Sequence, residues 1–174
     1  SWSRGLGDVY KRQPQINLGV SVLIPETYVS DLDVRLGLYR RLSNLNKKVE
    51  FEGFAAELID RFGKMPSEVN TLLLVVRIKS VCKKAGIGKL DGGPKGATVQ
   101  FYNDKFISPE GLVEFIKNQN GTAKIKDNKL IIRRDWKKNS DKFKGAFAIA
   151  RDLAEIAASF EKNIQKKQKS NFLN

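Results

Sequence analysis

Hydrophobic and polar positions follow two different periods along this chain, and the change of period predicts where strands and helices lie. From Ile16 to Ile24, apolar residues occupy every second position, which is the pattern of a half-buried strand, and Pro25 ends it. From Asp33 to Leu45 the apolar spacing becomes helical, with Asp31 or Asp33 as the expected N-cap. The pattern therefore predicts a strand followed by a helix.

The clearest amphipathic helix lies between Phe51 and Phe62, where five apolar residues share one stripe. Gly63 follows at the position where a helix commonly ends in a left-handed conformation, which glycine adopts without strain. Pro66 predicts the first residue of the next helix, which extends to about Ala85. Because this helix is apolar on more than one side, we expect it to be central in the fold.

The second half of the chain predicts short strands separated by turns. Strands are expected at Ile87–Leu90 and Thr98–Tyr102, with a turn cluster at Asp91–Pro94 between them. Further on, Asp127 and Asn128 lie between two short apolar-polar segments, residues 122–126 and 129–133, and this dipeptide favours a two-residue hairpin turn.

Two more helices are expected in this half. Ser108 followed by Pro109 predicts a helix start, because serine caps the first turn and proline fits the first helical position. The last helix begins near Ser140 and keeps one apolar stripe as far as Phe160. These elements predict an α+β fold, a single mixed domain with a small β-sheet packed with about five helices.

The predicted domain covers residues 14–160. Residues 161–174 are polar and basic, and we expect them to form a flexible tail. Residues 1–13 carry no sustained period of either kind and resemble translated linker sequence, so we expect a non-native or disordered leader there.

The composition excludes several kinds of catalytic and metal site. The 174 residues include no histidine and one cysteine, Cys82, so a His-dependent triad or a Cys/His zinc site lacks its parts. Gly86–Lys89 lacks the Gly-Lys-Ser/Thr end of a P-loop, and Gly92–Gly96 precedes no helix, so both are interpreted as turns. Cys82 aligns with apolar residues of its helix and is predicted to be a buried or half-buried structural residue. We expect no catalytic, metal or cofactor site in this chain.

Charge is distributed unevenly within a net balance of +13. Residues 117–169 contain 15 Lys and Arg against 6 Asp and Glu, whereas residues 26–62 contain 6 against 7. The basic half, with Trp136 among cations, has the composition of a module that contacts duplex DNA non-specifically, although solvated lysine-rich faces are common. That DNA-contacting module is the alternative function that the composition leaves open.

Glu57 and Asp60 share the side of their helix that faces away from the apolar stripe, roughly 60° apart around its axis. An ordinary solvated face explains such a pair. A pair of carboxylates that binds arginines on a partner explains it too, since arginine pairs strongly with carboxylates. From the residues alone, both interpretations stay open.

Four blocks of the chain resemble the C-terminal domain of bacterial transcription-repair coupling factors. The blocks are PQINLGVSVLIPETYV (Pro14–Val29), DVRLGLYRRL (Asp33–Leu42), AELIDRFGKMPSEVNTLL (Ala56–Leu73) and GIGKLDGGPKG (Gly86–Gly96). The resemblance runs from Pro14 to about Ala158.

The resemblance implies a regulatory part of a cytoplasmic, ATP-driven DNA translocase that recognises stalled RNA polymerase and recruits the repair protein UvrA. The motor, with its ATP and Mg, would lie upstream, so no enzyme activity is expected here. It also implies an autoinhibitory clamp that packs on an N-terminal UvrB-like module and masks the UvrA-binding surface. Glu57 and Asp60 match the acidic residues that contact arginines of that module. No membrane partner is expected, because the longest apolar run, Leu72–Val76, is too short to span a bilayer.

Overall fold

A computed structural model describes residues 13–173, and these residues contain five α-helices, five strands and one short 3-10 helix. The helices are α1 (Leu32–Ser43), α2 (Lys48–Phe62), α3 (Ser67–Lys84), α4 (Pro109–Lys117) and α5 (Asn139–Leu173). The strands are β1 (Gln15–Asn17), β2 (Ile87–Gly93), β3 (Gly96–Phe101), β4 (Ala123–Lys126) and β5 (Lys129–Arg133). The predicted α+β class, with a small sheet and about five helices, is confirmed. The expected leader lies, apart from Gln13, outside the described residues.

Two compact units make up this domain, and the first is the helical unit Gly19–Ser80. Its core collects the apolar stripe of α2 together with residues of α1, α3 and the preceding loop. The buried members are Ile24, Val29, Leu38, Leu42, Phe54, Leu58, Val69 and Leu72. Burial of these side chains supplies most of the free energy that holds the three helices together.

Local signals at the helix ends behave as the sequence predicts. Asp31 is the N-cap of α1, and its carboxylate accepts a hydrogen bond from the backbone N–H of Val34 at 3.0 Å. Helix α2 begins at Lys48, three residues before the predicted start. Gly63 ends α2 with a φ of +90°, a conformation that favours glycine.

The second unit contains the sheet, whose strand order is β1-β2-β3-β5-β4. Only β1 and β2 pair in parallel; the other neighbours among the described strands are antiparallel. Asp127 and Asn128 form the predicted hairpin turn with φ values of +52° and +61°. Helix α5 packs on β2.

The first predicted strand is much shorter than expected. Burial alternates from Pro14 to Ile24 as the pattern predicts, yet only Gln15–Asn17 pair with a neighbouring strand. Gly19, with a φ of +70°, then turns the chain. The N–H of Ile24 donates to the Tyr39 hydroxyl at 2.7 Å instead of to a strand. The alternation of apolar residues therefore indicates which side chains are buried here, but it does not show that the segment pairs with a neighbouring strand.

Two further boundaries differ from the prediction. The expected turn cluster is wrong for Asp91–Gly93, which continue β2 and pair with residues 96–98 of β3. Helix α5 does not stop near Phe160 but continues to Leu173, and every side chain from Glu161 onwards in it is exposed. Whether residues 161–174 form a separate flexible segment stays a prediction. None of the helices that the structure describes combines the length and apolar character needed to cross a membrane.

Candidate functional site

Glu57 lies at the centre of an ionic cluster in the helical unit. Its two carboxylate oxygens accept hydrogen bonds from both terminal nitrogens of Arg41, at 2.6 Å to Oε2 and 2.7 Å to Oε1. Oε2 also accepts one from Nη1 of Arg61 at 3.1 Å. The bidentate pair joins α1 to α2, because Arg41 belongs to the first helix and Glu57 to the second.

Aromatic rings position both arginines. The guanidinium carbon of Arg41 lies 5.1 Å from the centroid of the Phe54 ring, and that of Arg61 lies 4.8 Å from the Phe62 ring. Phe54 is a core residue of α2, so the guanidinium of Arg41 rests against the rim of the core. The cluster is thus partly ordered by packing.

The last turn of α2, which follows this cluster, is held by Tyr28. The single proton of the Tyr28 hydroxyl is shared between the carbonyl oxygens of Gly63, at 2.8 Å, and Leu58, at 3.1 Å. Its ring packs on Phe62 with centroids 5.8 Å apart, and burial raises the pKa of Tyr28 above its ordinary value. These contacts fix the end of the helix, where a frayed turn would otherwise move Asp60.

Hydrogen bonding dominates the electrostatics of Glu57. The bonds from Arg41, and next those from Arg61, lower the pKa of Glu57 from 4.5 to about 2. The same contact raises the pKa of Arg41. Glu57 is therefore ionised throughout the physiological range and already carries two cationic partners.

Asp60 has a different environment. It is exposed, and among residues 13–173 its carboxylate has no hydrogen bond or ion pair. It lies one turn from Glu57 on the same helix, where side chains three positions apart are neighbours. The sequence predicts a pair of carboxylates that faces outward. In the structure, Asp60 is exposed without a partner among the described residues, whereas Glu57 is bound by two arginines.

Sequence reasoning missed the arginine partners of Glu57. Arg61 follows Glu57 by four positions on one helix, a spacing that is a recognisable signal for an ion pair. Arg41 is 16 positions away on another helix, and no local pattern connects the two residues. The role of Glu57 and Asp60 in binding a partner stays a prediction.

Trp136, the aromatic residue that the sequence analysis places among cations in the basic half, is not available for DNA contact. Trp136 is 8% exposed, and its indole packs so closely on Gly145 that a Cβ there would overlap the ring. Arg134 is also engaged: it donates to Gln119 at 2.5 Å and to Thr122 at 2.9 Å. Neither side chain is presented to a nucleic acid.

Cys82 is buried as predicted. None of its surface is exposed, and burial raises the pKa of its thiol to about 12. Such a thiol is not a nucleophile at neutral pH, because the thiolate is the reactive form. Among the described residues, no group of three or more His, Cys, Asp and Glu side chains is arranged to hold a metal ion.

Comparisons with known proteins agree on one family. The family model of the TRCF domain matches residues 18–112, more than half of the chain. The chain is 48% identical over 119 residues to the transcription-repair-coupling factor of Rickettsia bellii, which is 68% of this chain and 10% of that protein. It is 32% identical over 114 residues to that of Escherichia coli K12, covering 66% of this chain and 10% of the relative.

A solved structure is similar as well. The crystal structure of the C-terminal domain of transcription-repair coupling factor superimposes with a TM-score of 0.69 at 23% sequence identity. The similarity covers 86% of this chain and 98% of that one. At this identity the comparison shows a shared fold.

Proposed function

Since the chain belongs to the transcription-repair coupling factor family, we propose that it acts in transcription-coupled DNA repair as a regulatory domain. The matched segment spans about a tenth of the length of the curated relatives. The proposal accordingly assigns ATP-driven translocation, with its ATP and Mg, to other parts of such a protein. RNA polymerase and UvrA are its indirect partners, and the cytoplasm is its location.

The regulatory act is an autoinhibitory clamp. In this proposal, the outer face of α2 binds arginines of an N-terminal UvrB-like module and masks the surface that binds UvrA. The observation that carries it is Asp60, an exposed carboxylate without a partner among the described residues, on a helix turn that Tyr28 holds in place. A fixed carboxylate binds an incoming guanidinium without first losing its own mobility.

Glu57 takes part by exchange. Both of its oxygens are occupied, so an incoming arginine must share the carboxylate or displace Arg41 or Arg61. A displaced Arg41 returns to water easily, because its side chain is already 49% exposed. Exchange replaces one arginine–carboxylate pair by another, so the net free energy stays small, as a reversible clamp requires.

The DNA-contacting alternative has less support. Trp136, the aromatic residue that would stack on bases, is buried, and the guanidinium of Arg134 is held by hydrogen bonds within the sheet unit. The remaining basic residues form no recognisable reading element, and lysines alone supply only non-specific, salt-dependent attraction.

The clamp is tested by the affinity of this chain for the separately produced N-terminal module. We expect Asp60→Arg to weaken binding at least tenfold, which corresponds to about 1.4 kcal/mol, and Glu57→Arg with Asp60→Arg to abolish it. Glu52→Arg is the control, since Glu52 is an exposed acid on the same helix, about 140° from Glu57 and about 80° from Asp60 around the axis. Equal binding by the Asp60 and Glu52 variants would contradict the clamp.

A further inference from the structure

Helix α5 carries an exposed polar stripe that changes sign halfway. Positions spaced alternately by three and four residues lie on one side of a helix. Along α5, from its middle to its end, these positions are Asp152, Glu155, Ser159, Lys162, Lys166 and Lys169. The first two are acidic and the last three are basic, so the stripe has opposite charges at its two ends, about 26 Å apart along the axis.

The charged side chains of this stripe are available for contact. Glu155, Lys166 and Lys169 are exposed, and among the described residues they have no ion pair within the chain. Asp152 has one weak contact, at 3.6 Å, with its exposed neighbour Arg151. Beyond Phe160 every described side chain of the helix is exposed, and only its first turn, at Glu161 and Asn163, still lines grooves shared with other elements. A segment of this length with so little tertiary packing is only marginally helical in water, so a partner would stabilise it.

We propose that this stripe binds the same stripe of a second copy of the chain, with the two α5 helices antiparallel. When a two-fold axis passes midway between Ser159 and Lys162, Glu155 lies opposite Lys166 of the second copy. Asp152 then lies opposite Lys169 of the second copy, and each contact occurs twice by symmetry. The complementarity holds at four of the five charged positions of the stripe, and the fifth, Lys162, lies opposite Ser159.

A groove beside the stripe accommodates the remaining lysine. It has a volume of about 630 Å³ and lies between α4 and α5. Its apolar floor includes Ile156 and Phe160, and the carboxylates of Glu110 and Glu114 line its other side. Lys162 of the second copy lies opposite Ser159, which also lines the groove. Its aliphatic stem can cover the apolar floor while its ammonium meets the carboxylates.

A second copy fits this pattern better than other partners. A basic peptide would pair with the acidic half of the stripe and leave three lysines unmatched. A nucleic acid would pair with the lysines and place its phosphates near Asp152 and Glu155. Only an antiparallel copy of the same helix matches both halves at once.

The dimer should be weak and sensitive to salt. Exposed ion pairs contribute little individually and are screened as ionic strength rises. The net charge of +13 on each copy also opposes association. We expect sedimentation equilibrium of the whole chain to show a concentration-dependent dimer at about 0.05 M salt that dissociates at about 0.5 M.

Charge reversal locates the interface. One variant carries Asp152→Lys with Glu155→Lys, and another carries Lys166→Glu with Lys169→Glu. Each alone should be monomeric, because like charges then face each other. The two variants mixed in equal amounts should associate, and one chain with all four changes should dimerise again.

A matched control lowers the net charge by the same amount as the Lys166→Glu, Lys169→Glu variant without touching the stripe. Lys138→Glu with Lys144→Glu does so at exposed positions that face nothing in the antiparallel pair, and this variant should still dimerise. The proposal is overturned by a wild-type chain that stays monomeric at low salt, by a dimer that persists in both stripe variants, or by a mixture that stays monomeric. Retention on duplex DNA by a chain that never dimerises would assign the lysines to nucleic acid and also overturn it.

Discussion

Arg41 and Glu57 form a bidentate ion pair between α1 and α2, with nitrogen–oxygen distances of 2.6 and 2.7 Å. Their side chains are 49% and 34% exposed, so water screens the pair without separating it. The contact does two things at once: it fixes the relative position of two helices, and it occupies the carboxylate that the proposed clamp needs.

The first prediction concerns acid stability. The pKa of Glu57 is about 2 in the folded chain against 4.5 for an unperturbed carboxyl, so its ion pairs stabilise the fold above pH 4.5 and are lost as pH falls through 2. After allowance for solvent exposure, Glu57→Gln should cost about 1 kcal/mol at pH 7. Urea unfolding should show the difference between wild type and variant shrinking between pH 5 and 2. A difference that is constant with pH would mean that the charge of Glu57 contributes nothing.

The second prediction separates the clamp from the ion pair within the chain. Arg41→Ala frees one side of the Glu57 carboxylate and removes a cation that repels incoming arginines. We expect the affinity for the N-terminal module to rise about 2- to 5-fold, the range that corresponds to one exposed ion pair. Binding should be measured together with Arg40→Ala, an exposed arginine next to it that has no ion pair among the described residues.

Two other outcomes are informative. A loss of affinity in the Arg41→Ala variant would mean that Arg41 positions Glu57 for the partner instead of competing with it. An equal change in the Arg40→Ala variant would mean that general charge, and not the pair with Glu57, determines binding.

Features set by a few neighbouring residues could be predicted from the sequence. Ser108 caps α4 by accepting from the N–H of Gly111 at 3.1 Å, as the Ser-Pro dipeptide predicts. The hairpin at Asp127 and Asn128 follows from the tolerance of these residues for positive φ. In both cases the residues that carry the signal also make the contact.

Features that depend on distant residues could not be predicted. The strand expected up to Ile24 ends at Asn17, because a ladder needs a neighbouring strand and periodicity records only burial. The partner of Glu57 escaped notice because Arg41 becomes its neighbour only when α1 packs on α2. The extension of α5 beyond Phe160 carries no apolar stripe, although its residues favour helix.

The third prediction concerns the reactivity of Cys82. Burial excludes reagents from the thiol, and it also raises the pKa of the thiol to about 12, which lowers the thiolate fraction. Both effects slow the reaction of Cys82 with a thiol reagent. Labelling with a disulfide reagent at pH 8 should be about a thousandfold slower in the native chain than in guanidinium. Native labelling at the rate of the unfolded chain would show that the C-terminal end of α3 opens readily.

The fourth prediction contrasts the same substitution in two helices. A Cβ on Gly145 of α5 would overlap the ring of Trp136, whereas a Cβ on Gly53 of α2 would meet nothing within 4 Å. Gly145→Ala should therefore destabilise the fold by about 1–3 kcal/mol through overpacking. Gly53→Ala should stabilise it by about 0.5–1 kcal/mol, because alanine loses less backbone entropy in a helix. Thermal unfolding of both variants checks the opposite signs, and Trp136 fluorescence should change only in the Gly145 variant. If both substitutions stabilise the chain, the close packing of Trp136 on α5 is absent in solution.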